Sequence, residues 1–220
     1  MKSKLRKLLN ENKFVFTAET SPPDSGKKDV VIDEVECLNG LADAINVTDG
    51  AGAKSHMSAL ATAAILAQNG IEPILQFTTR DRNRIAIQGD LLGGWALDIP
   101  NILCLYGDEV KGGDQPDTKE VRDLDTIGIL RTAHEIKTKK MYPSGRKIND
   151  APEFFIGGAD TPFKINNDFD GFNLVKKIEA GVEFFQTQYV FEEDILKNYM
   201  LKLNELHITD KAYFLSLIHI

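Results

Sequence analysis

The 220-residue sequence has two cysteines and no long apolar run. Cys37 and Cys104 fall in an apolar helical pattern and in the middle of an apolar strand pattern. Their spacing indicates neither a disulfide framework nor a zinc site, which favours a reducing, cytoplasmic compartment. No apolar stretch approaches the roughly 18 residues that cross a bilayer, so we expect no membrane span.

The sequence also lacks a basic excess and the common nucleotide-binding motifs. A net charge of −7 argues against a nucleic-acid partner, which selects a basic surface. No Gly-x-Gly-x-x-Gly follows the first predicted strand, and no Walker Gly-Lys-Ser/Thr is present. We expect no metal site, because the histidines are not spaced as metal ligands: His56, His134, His207 and His219.

Short apolar runs alternate regularly with helical patterns, without a signal for an antiparallel hairpin. Such alternation predicts parallel strands joined by right-handed crossovers, in a (β/α)8 barrel or a doubly wound sheet. The missing nucleotide motifs favour the α/β class with a (β/α)8 TIM barrel. We expect strands at 14–20, 42–47, 71–77, 101–108, 153–156, 183–187 and 212–217, and helices at 28–38, 56–68, 81–97, 124–137, 171–180 and 192–206.

Three local features refine this prediction. Ser55 and Asp81 are the expected N-caps of the second and third of these helices. Residues 1–10 are basic and amphipathic, and we interpret them as a small helix that closes the bottom of the domain rather than as a transit peptide. Six and a half strand–helix units are too few for an eight-stranded barrel. We therefore expect one domain over residues 1–220, incomplete at its C terminus.

Polar residues occur where the predicted strands end. The apolar run from Asn101 stops at Gly107 and Asp108, a pattern typical of a buried parallel strand, although a simple turn explains Gly-Asp equally well. In parallel α/β folds ligands bind at the carboxyl ends of the strands. We expect one mouth lined by Glu19, Thr48, Asp49, Gln76, Thr78, Asp108, Ala159, Asp160 and Gln188.

Two groups of polar residues, one in this mouth and one on a later helix, suggest catalytic or ligand-binding roles. Glu19 and Asp108 could divide the roles of protonated donor and anion if burial raises one pKa, although Glu19 could also be a solvated carboxylate. Asp170, Asn173 and Lys177 lie at i, i+3 and i+7, on one helix face, and suit ribose hydroxyls and a diphosphate. An N-cap with a solvated lysine pair, Lys176 and Lys177, explains the second pattern equally well.

Six motifs, in order, make the chain resemble the methylenetetrahydrofolate reductase family, which consists of FAD-dependent (β/α)8 enzymes of one-carbon metabolism. The resemblance extends from Phe14 to about Leu215. The motifs are Glu19-Thr-Ser-Pro22-Pro23, Val47-Thr48-Asp-Gly50-Ala51, Asp81-Arg-Asn-Arg84, Tyr106-Gly107-Asp108, Asp170-x-x-Asn173-Leu-x-Lys176-Lys177 and Phe185-Gln-Thr187-Gln188.

The resemblance implies a flavin oxidoreductase acting on CH–NH bonds, which reduces 5,10-methylenetetrahydrofolate to 5-methyltetrahydrofolate for methionine biosynthesis. Glu19 matches the general acid that protonates the folate nitrogen. Asp108 matches the acid beside flavin and pterin, and Gln188 matches the amide that contacts folate and nicotinamide. The positions that match the FAD lining are Thr48, Asp49, Ala51, Gln76, Gly107, Asp108, Ala159, Asp170, Asn173, Lys176 and Lys177.

The chain departs from the family at three places. Gln76 and Tyr106 stand where one bacterial branch has histidine and arginine, so the electron donor is left open between reduced nicotinamide and another donor, including a partner subunit. The tail after Leu215 does not follow the family pattern, which indicates a truncation or a reading-frame scar. The alternatives are another FAD barrel, resembling proline dehydrogenase, and a flavin-binding fragment without turnover. A homo-oligomer is also compatible.

Overall fold

The computed structural model describes residues 3–166 and 168–216. Seven strands form one sheet in the order β1 to β7, and all six neighbouring pairs are parallel. Each strand lies beside the next in sequence, as right-handed crossovers produce. The strands are β1 (Thr17–Thr20), β2 (Ala44–Val47), β3 (Pro73–Thr78), β4 (Asn101–Leu105), β5 (Phe155–Asp160), β6 (Phe184–Thr187) and β7 (Tyr213–Ser216).

Helices alternate with these strands, so the predicted α/β class and partial (β/α)8 TIM barrel are confirmed. Within residues 3–166 and 168–216, no pairing joins β1 to β7. Short 3-10 turns occur at Glu36–Leu38, Ala51–Ala53 and Val110–Gly112. The α-helices are α1 (Lys4–Asn10), α2 (Lys28–Val35), α3 (Ala59–Gln68), α4 (Arg84–Ala96), α5 (Thr126–Lys139), α6 (Phe172–Glu179) and α7 (Glu193–Glu205).

The two faces of the curled sheet pack in separate apolar clusters. Successive side chains of a strand point to opposite faces, and in β3 Ile74 joins one cluster whereas Leu75 joins the other. The larger cluster lies between the sheet and the helices. The smaller one, which we call the inner cluster, consists of Leu5, Leu9, Ala44, Ile74, Leu103, Phe155, Phe184 and Leu215.

Helix α1 closes the bottom of the sheet, as predicted. Leu5 and Leu9 are buried in the inner cluster, one turn apart on the same face of α1. Ser3 caps the helix by accepting a hydrogen bond from the Arg6 backbone N–H. Glu72, just before β3, accepts from the backbone N–H groups of Lys4 and Leu5, at 2.7 and 2.9 Å. A carboxylate at the start of a helix is favoured by the helix dipole, so Glu72 anchors α1 to the sheet.

Two predicted helix starts were wrong. Helix α3 begins at Ala59 with Ser58 at its N-cap, and Ser55 instead accepts a hydrogen bond from Gln115 Nε2 at 2.7 Å. Helix α4 begins at Arg84, because Asn83 caps it by accepting from two backbone N–H groups. In both cases several capping residues are close together in sequence, and tertiary contacts decide which one takes the position.

Three strands differ by three or more residues from their predicted bounds, and β4 ends at Leu105 rather than at 108. β1 begins at Thr17 rather than 14, since Phe14 and Phe16 precede the paired register and are 79% and 60% exposed. β5 continues past 156 to Asp160. Gly157 allows this extension, because a Cβ there would overlap the ring of Phe184 on β6.

Two further differences concern segments outside the sheet core. The polar segment 138–152, for which no internal pattern predicted structure, contains a tight antiparallel turn with a bridge between Met141 and Lys147. Residues 217–220, which include the last residue of the predicted seventh strand and His219, lie outside the described residues. None of the helices that the structure describes is both long and apolar enough to cross a bilayer.

Candidate active site

The carboxyl ends of the strands surround a cavity of about 320 Å³, which we call the first cavity. Because parallel strands end at the same edge, side chains from distant parts of the sequence meet there. Ten residues predicted for the site line this cavity, and they come from six strand ends. They are Glu19, Thr48, Asp49, Ala51, Gln76, Thr78, Gly107, Asp108, Ala159 and Gln188.

Glu19 lies exposed near the end of β1 and is oriented by a buried amide. Gln76 of β3 donates a hydrogen bond from Nε2 to Glu19 Oε2 at 3.0 Å. Tyr189, which follows β6, also lines the cavity. Partial burial and the negative charge of Glu19 together raise the pKa of Tyr189. The carboxyl group of Glu19 therefore lies at the mouth of the cavity, and the hydrogen bond from the deeper Gln76 orients it.

Asp108 connects two loops at the same mouth. Its Oδ2 accepts a hydrogen bond from the backbone N–H of Gly52 at 2.7 Å. The chain reaches this position through Gly107, whose φ of +84° favours glycine, and a Cβ at Gly107 would lie 3.0 Å from the Thr78 Cβ. Asp108 is exposed. Its carboxylate is therefore accessible to a ligand and held at a defined place.

Asp49 lines the cavity, but its carboxylate is occupied by hydrogen bonds from other residues of the chain. Its carboxylate accepts from Arg82 at 2.6 and 3.2 Å and from the Thr78 backbone N–H and hydroxyl, both at 2.9 Å. Arg82 also pairs with Asp90 at 2.9 Å and lies over the Phe77 ring. Burial lowers the pKa of Arg82, but Asp49 and Asp90 outweigh it and raise the pKa overall. Asp49 thus anchors the β2 and β3 loops.

A second cavity of about 560 Å³ adjoins the first and shares Leu105, Tyr106 and Ala159 with it. Asp170, Asn173 and Lys177 line it together, as their spacing on one helix face predicts. Lys176 is exposed and does not line either cavity, because adjacent residues of a helix point in different directions.

Lys177 is not one of a pair of solvated lysines. Its Nζ donates to the Ala159 carbonyl at 2.6 Å, and burial lowers the pKa of this ammonium group against the attraction of Asp160. Asp160 was expected in the same mouth as Glu19, but it lines the second cavity instead. There it accepts two contacts from the Tyr199 hydroxyl, at 3.1 and 3.0 Å, and burial raises the pKa of the Asp160 carboxyl.

Three residues that line these cavities or contact a lining residue were not singled out from the sequence. Arg82 lies in a quoted motif, which was the available signal, but its partner Asp49 is 33 residues away. Tyr199 belongs to α7 and has no local motif. Gln186 of β6 is 3% exposed and lines the first cavity, and neither polar atom of its amide has a hydrogen-bond partner among the described residues. In the part of the chain that the structure describes, no group of three or more His, Cys, Asp and Glu is placed to hold a metal ion.

The chain matches a family model described as methylenetetrahydrofolate reductase over residues 4–212. No curated protein matches it. Solved structures resemble its fold at low identity, and at such identity the likeness shows the fold alone.

Three of these structures illustrate the likeness. A 2,3-dimethylmalate lyase, a PEP mutase/isocitrate lyase superfamily member, has a TM-score of 0.60 at 9% identity, with 98% of this chain and 70% of that chain covered. An oxaloacetate acetylhydrolase has a TM-score of 0.57 at 11% identity, with 97% and 79% covered. A mutant tryptophan synthase α-subunit from Pyrococcus furiosus has a TM-score of 0.52 at 11% identity, with 92% and 86% covered.

Proposed function

Because the chain belongs to the methylenetetrahydrofolate reductase family, we propose that it reduces 5,10-methylenetetrahydrofolate to 5-methyltetrahydrofolate with bound FAD. Membership of the family supports a folate-related reduction by an oxidoreductase. The observation that supports the specific reaction is the first cavity, which gathers Glu19, Asp108 and Gln188 beside the residues proposed to line the flavin. We propose that the chain acts as a single flavin-binding domain.

The described residues fit a flavin dinucleotide. Two adjoining cavities suit a long cofactor with a ring at one end and a nucleotide at the other. In the second cavity, Asp170 and Asn173 near the start of α6 suit ribose hydroxyls, and the ammonium of Lys177 suits a diphosphate. In the first cavity, the buried Gln186 amide has no hydrogen-bond partner among the described residues. When bound, FAD supplies the hydride chemistry, and the protein supplies orientation and electrostatics.

Glu19 is the proposed acid. It would protonate the folate nitrogen so that the methylene bridge opens to an iminium ion, a role that requires a positioned carboxyl group at the cavity mouth. The hydrogen bond from Gln76 to Glu19 Oε2 sets that position. An exposed carboxyl at the mouth, unlike a buried one, can meet a substrate that enters and leaves in every turnover.

Asp108 is the proposed anion. A negative charge near the reacting carbon stabilises the positive charge that develops on the iminium ion. The Gly52 N–H that donates to Asp108 Oδ2 holds the carboxylate in place. Gln188, also exposed at the mouth, provides an amide for folate and for a nicotinamide donor. The electron donor is proposed to be reduced nicotinamide or a partner subunit.

The purified 220-residue chain tests this proposal directly. We expect flavin absorbance, or saturable uptake of added FAD, and anaerobic reoxidation of the reduced flavin by 5,10-methylenetetrahydrofolate. A chain that takes up no FAD would refute the proposal. Flavin reduced by proline and not reoxidised by folate would indicate a proline dehydrogenase-like enzyme. Bound flavin that reacts with neither compound would indicate a fragment that binds flavin without turnover.

A further inference from the structure

Gln186 lies on the inner face of β6, one position deeper than the exposed Gln188. The same face carries Phe184, two residues earlier, in the inner cluster. Gln186 is 3% exposed, and its side chain lines the first cavity. Its Oε1 and Nε2 both lack a hydrogen-bond partner among the described residues. One donor group and one acceptor are therefore buried together at the floor of the cavity.

The neighbouring strands do not satisfy this amide. Gln186 is in register with Ala159 of β5 and Leu215 of β7, whose side chains are apolar. Leu103 of β4, which also lines the cavity, is apolar as well. Buried polar groups are rarely left unpaired in folded proteins, because desolvation without a new hydrogen bond destabilises the fold. The partner for Gln186 must come from the contents of the cavity.

We propose that Gln186 binds the polar edge of the flavin ring through a pair of hydrogen bonds; this inference rests on the proposed FAD dependence. A primary amide offers an N–H donor beside a C=O acceptor. The pyrimidine part of the isoalloxazine ring offers the complementary pair, an N3–H donor beside a carbonyl acceptor. Gln186 thereby becomes a cofactor-binding residue in addition to those that the family resemblance implies.

The depth of Gln186 in the first cavity favours the flavin over the folate as the ligand of its amide. Folate has to enter and leave in each turnover, and the residues proposed for it, Glu19, Asp108 and Gln188, are exposed at the mouth. Gln186 is buried below them. A resident cofactor that binds before the substrate fills the deeper position, so its ring is the group that reaches Gln186.

The test compares Gln186→Met with a matched control in the full 220-residue chain. Methionine has a similar volume and cannot form the paired hydrogen bonds. The control is Thr62→Val in α3, which also removes an unpaired buried polar atom, but away from both cavities. Flavin affinity is measured by quenching of flavin fluorescence, with FAD and with FMN. We expect Gln186→Met to raise the Kd for both flavins about tenfold, and Thr62→Val to leave it unchanged.

A flavin methylated at N3 provides a second test, which does not require a protein variant. Methylation removes the N3–H donor, so the parent protein should bind N3-methylflavin about tenfold more weakly than FMN. In Gln186→Met the two ligands should bind equally. Equal binding of both ligands by the parent would overturn the inference even if the methionine variant failed to fold. An unchanged FAD affinity in a folded Gln186→Met protein would also overturn the inference. That result is expected if Gln186 binds water instead of the flavin.

These outcomes are distinguishable from failure of the proposed function. A parent protein that binds no flavin would refute the FAD dependence, and the inference with it. A parent that binds flavin, together with a Gln186→Met variant of equal affinity, would refute the inference alone. The apo form of Gln186→Met should unfold at a temperature no lower than that of the parent, because the substitution removes two unpaired buried atoms.

Discussion

Replacing Asp49 with alanine is expected to destabilise the protein strongly, although this residue was predicted as a cofactor contact. The Asp49 side chain is 8% exposed and its partner Arg82 is 16% exposed. Asp49 accepts hydrogen bonds from both terminal nitrogens of Arg82 and from the backbone and side chain of Thr78. Alanine removes all of these acceptor contacts and leaves a buried guanidinium group with Asp90 alone.

The magnitude follows from the burial of the pair. Removing one partner of a buried ion pair costs about 3–5 kcal/mol, and we expect the lower end because Asp90 still neutralises Arg82. For a domain of this size, a loss of about 3 kcal/mol corresponds to a decrease in Tm of roughly 6–12 °C. Asp49→Asn keeps an acceptor for Thr78 and should lose less, about 1.5–3 kcal/mol, the size of a hydrogen bond to a charged group.

Urea unfolding of the 220-residue chain, followed by circular dichroism, measures these losses by linear extrapolation. Arg84→Ala is the matched control, since it removes an arginine–aspartate pair two residues from Arg82 that is exposed to solvent. The free energy of unfolding of that variant should equal the parent value within experimental error. If Asp49→Ala unfolds with the same free energy as Arg84→Ala, the structural role assigned to Asp49 is wrong.

The remaining predictions concern the proposed acid, the proposed anion and a buried carboxyl. Glu19→Gln should retain FAD and folate binding and reduction of the flavin by its donor, but lose about 10²–10⁴-fold in folate reduction, because an amide cannot donate the proton. Stopped-flow rates within a few-fold of the parent would reject that role. Asp108→Asn should weaken folate affinity or slow iminium formation more than it changes the Kd for FAD, because it removes the stabilising charge; identical folate kinetics would leave Asp108 as a loop residue. Burial raises the pKa of Asp160 from 3.8, so its contribution to stability is present below pH 3.8 and is lost as the pH rises through the raised pKa. Asp160→Asn should therefore gain stability relative to the parent between pH 4 and pH 7 in urea unfolding, and a difference that does not change with pH would contradict this.

The local patterns that specify strands and helices predicted most of the fold. The alternation of apolar runs and helical periods depends on residues that are neighbours in sequence. For this reason the order β1 to β7 and the positions of six helices followed from the sequence. The small helix expected before them is α1. Strand bounds were less certain, because pairing with a neighbour decides them. For example, β5 continues through Gly157, although glycine gives no strand signal in the sequence. A glycine is required there because the Phe184 ring occupies the space where a Cβ would lie.

The sequence by itself determined which side chains stand at the carboxyl ends of the strands, because parallel strands all end at one edge and side chains alternate along each of them. Glu19, Gln76 and Asp108 meet in one cavity for that reason. Tertiary structure alone decided the partners of these groups. The contacts of Arg82 with Asp49, of Tyr199 with Asp160 and of Gln76 with Glu19 join residues 33 to 57 positions apart. Such contacts depend on how strands and helices pack, which no local pattern encodes. The burial of Gln186 at the floor of the first cavity is decided in the same way.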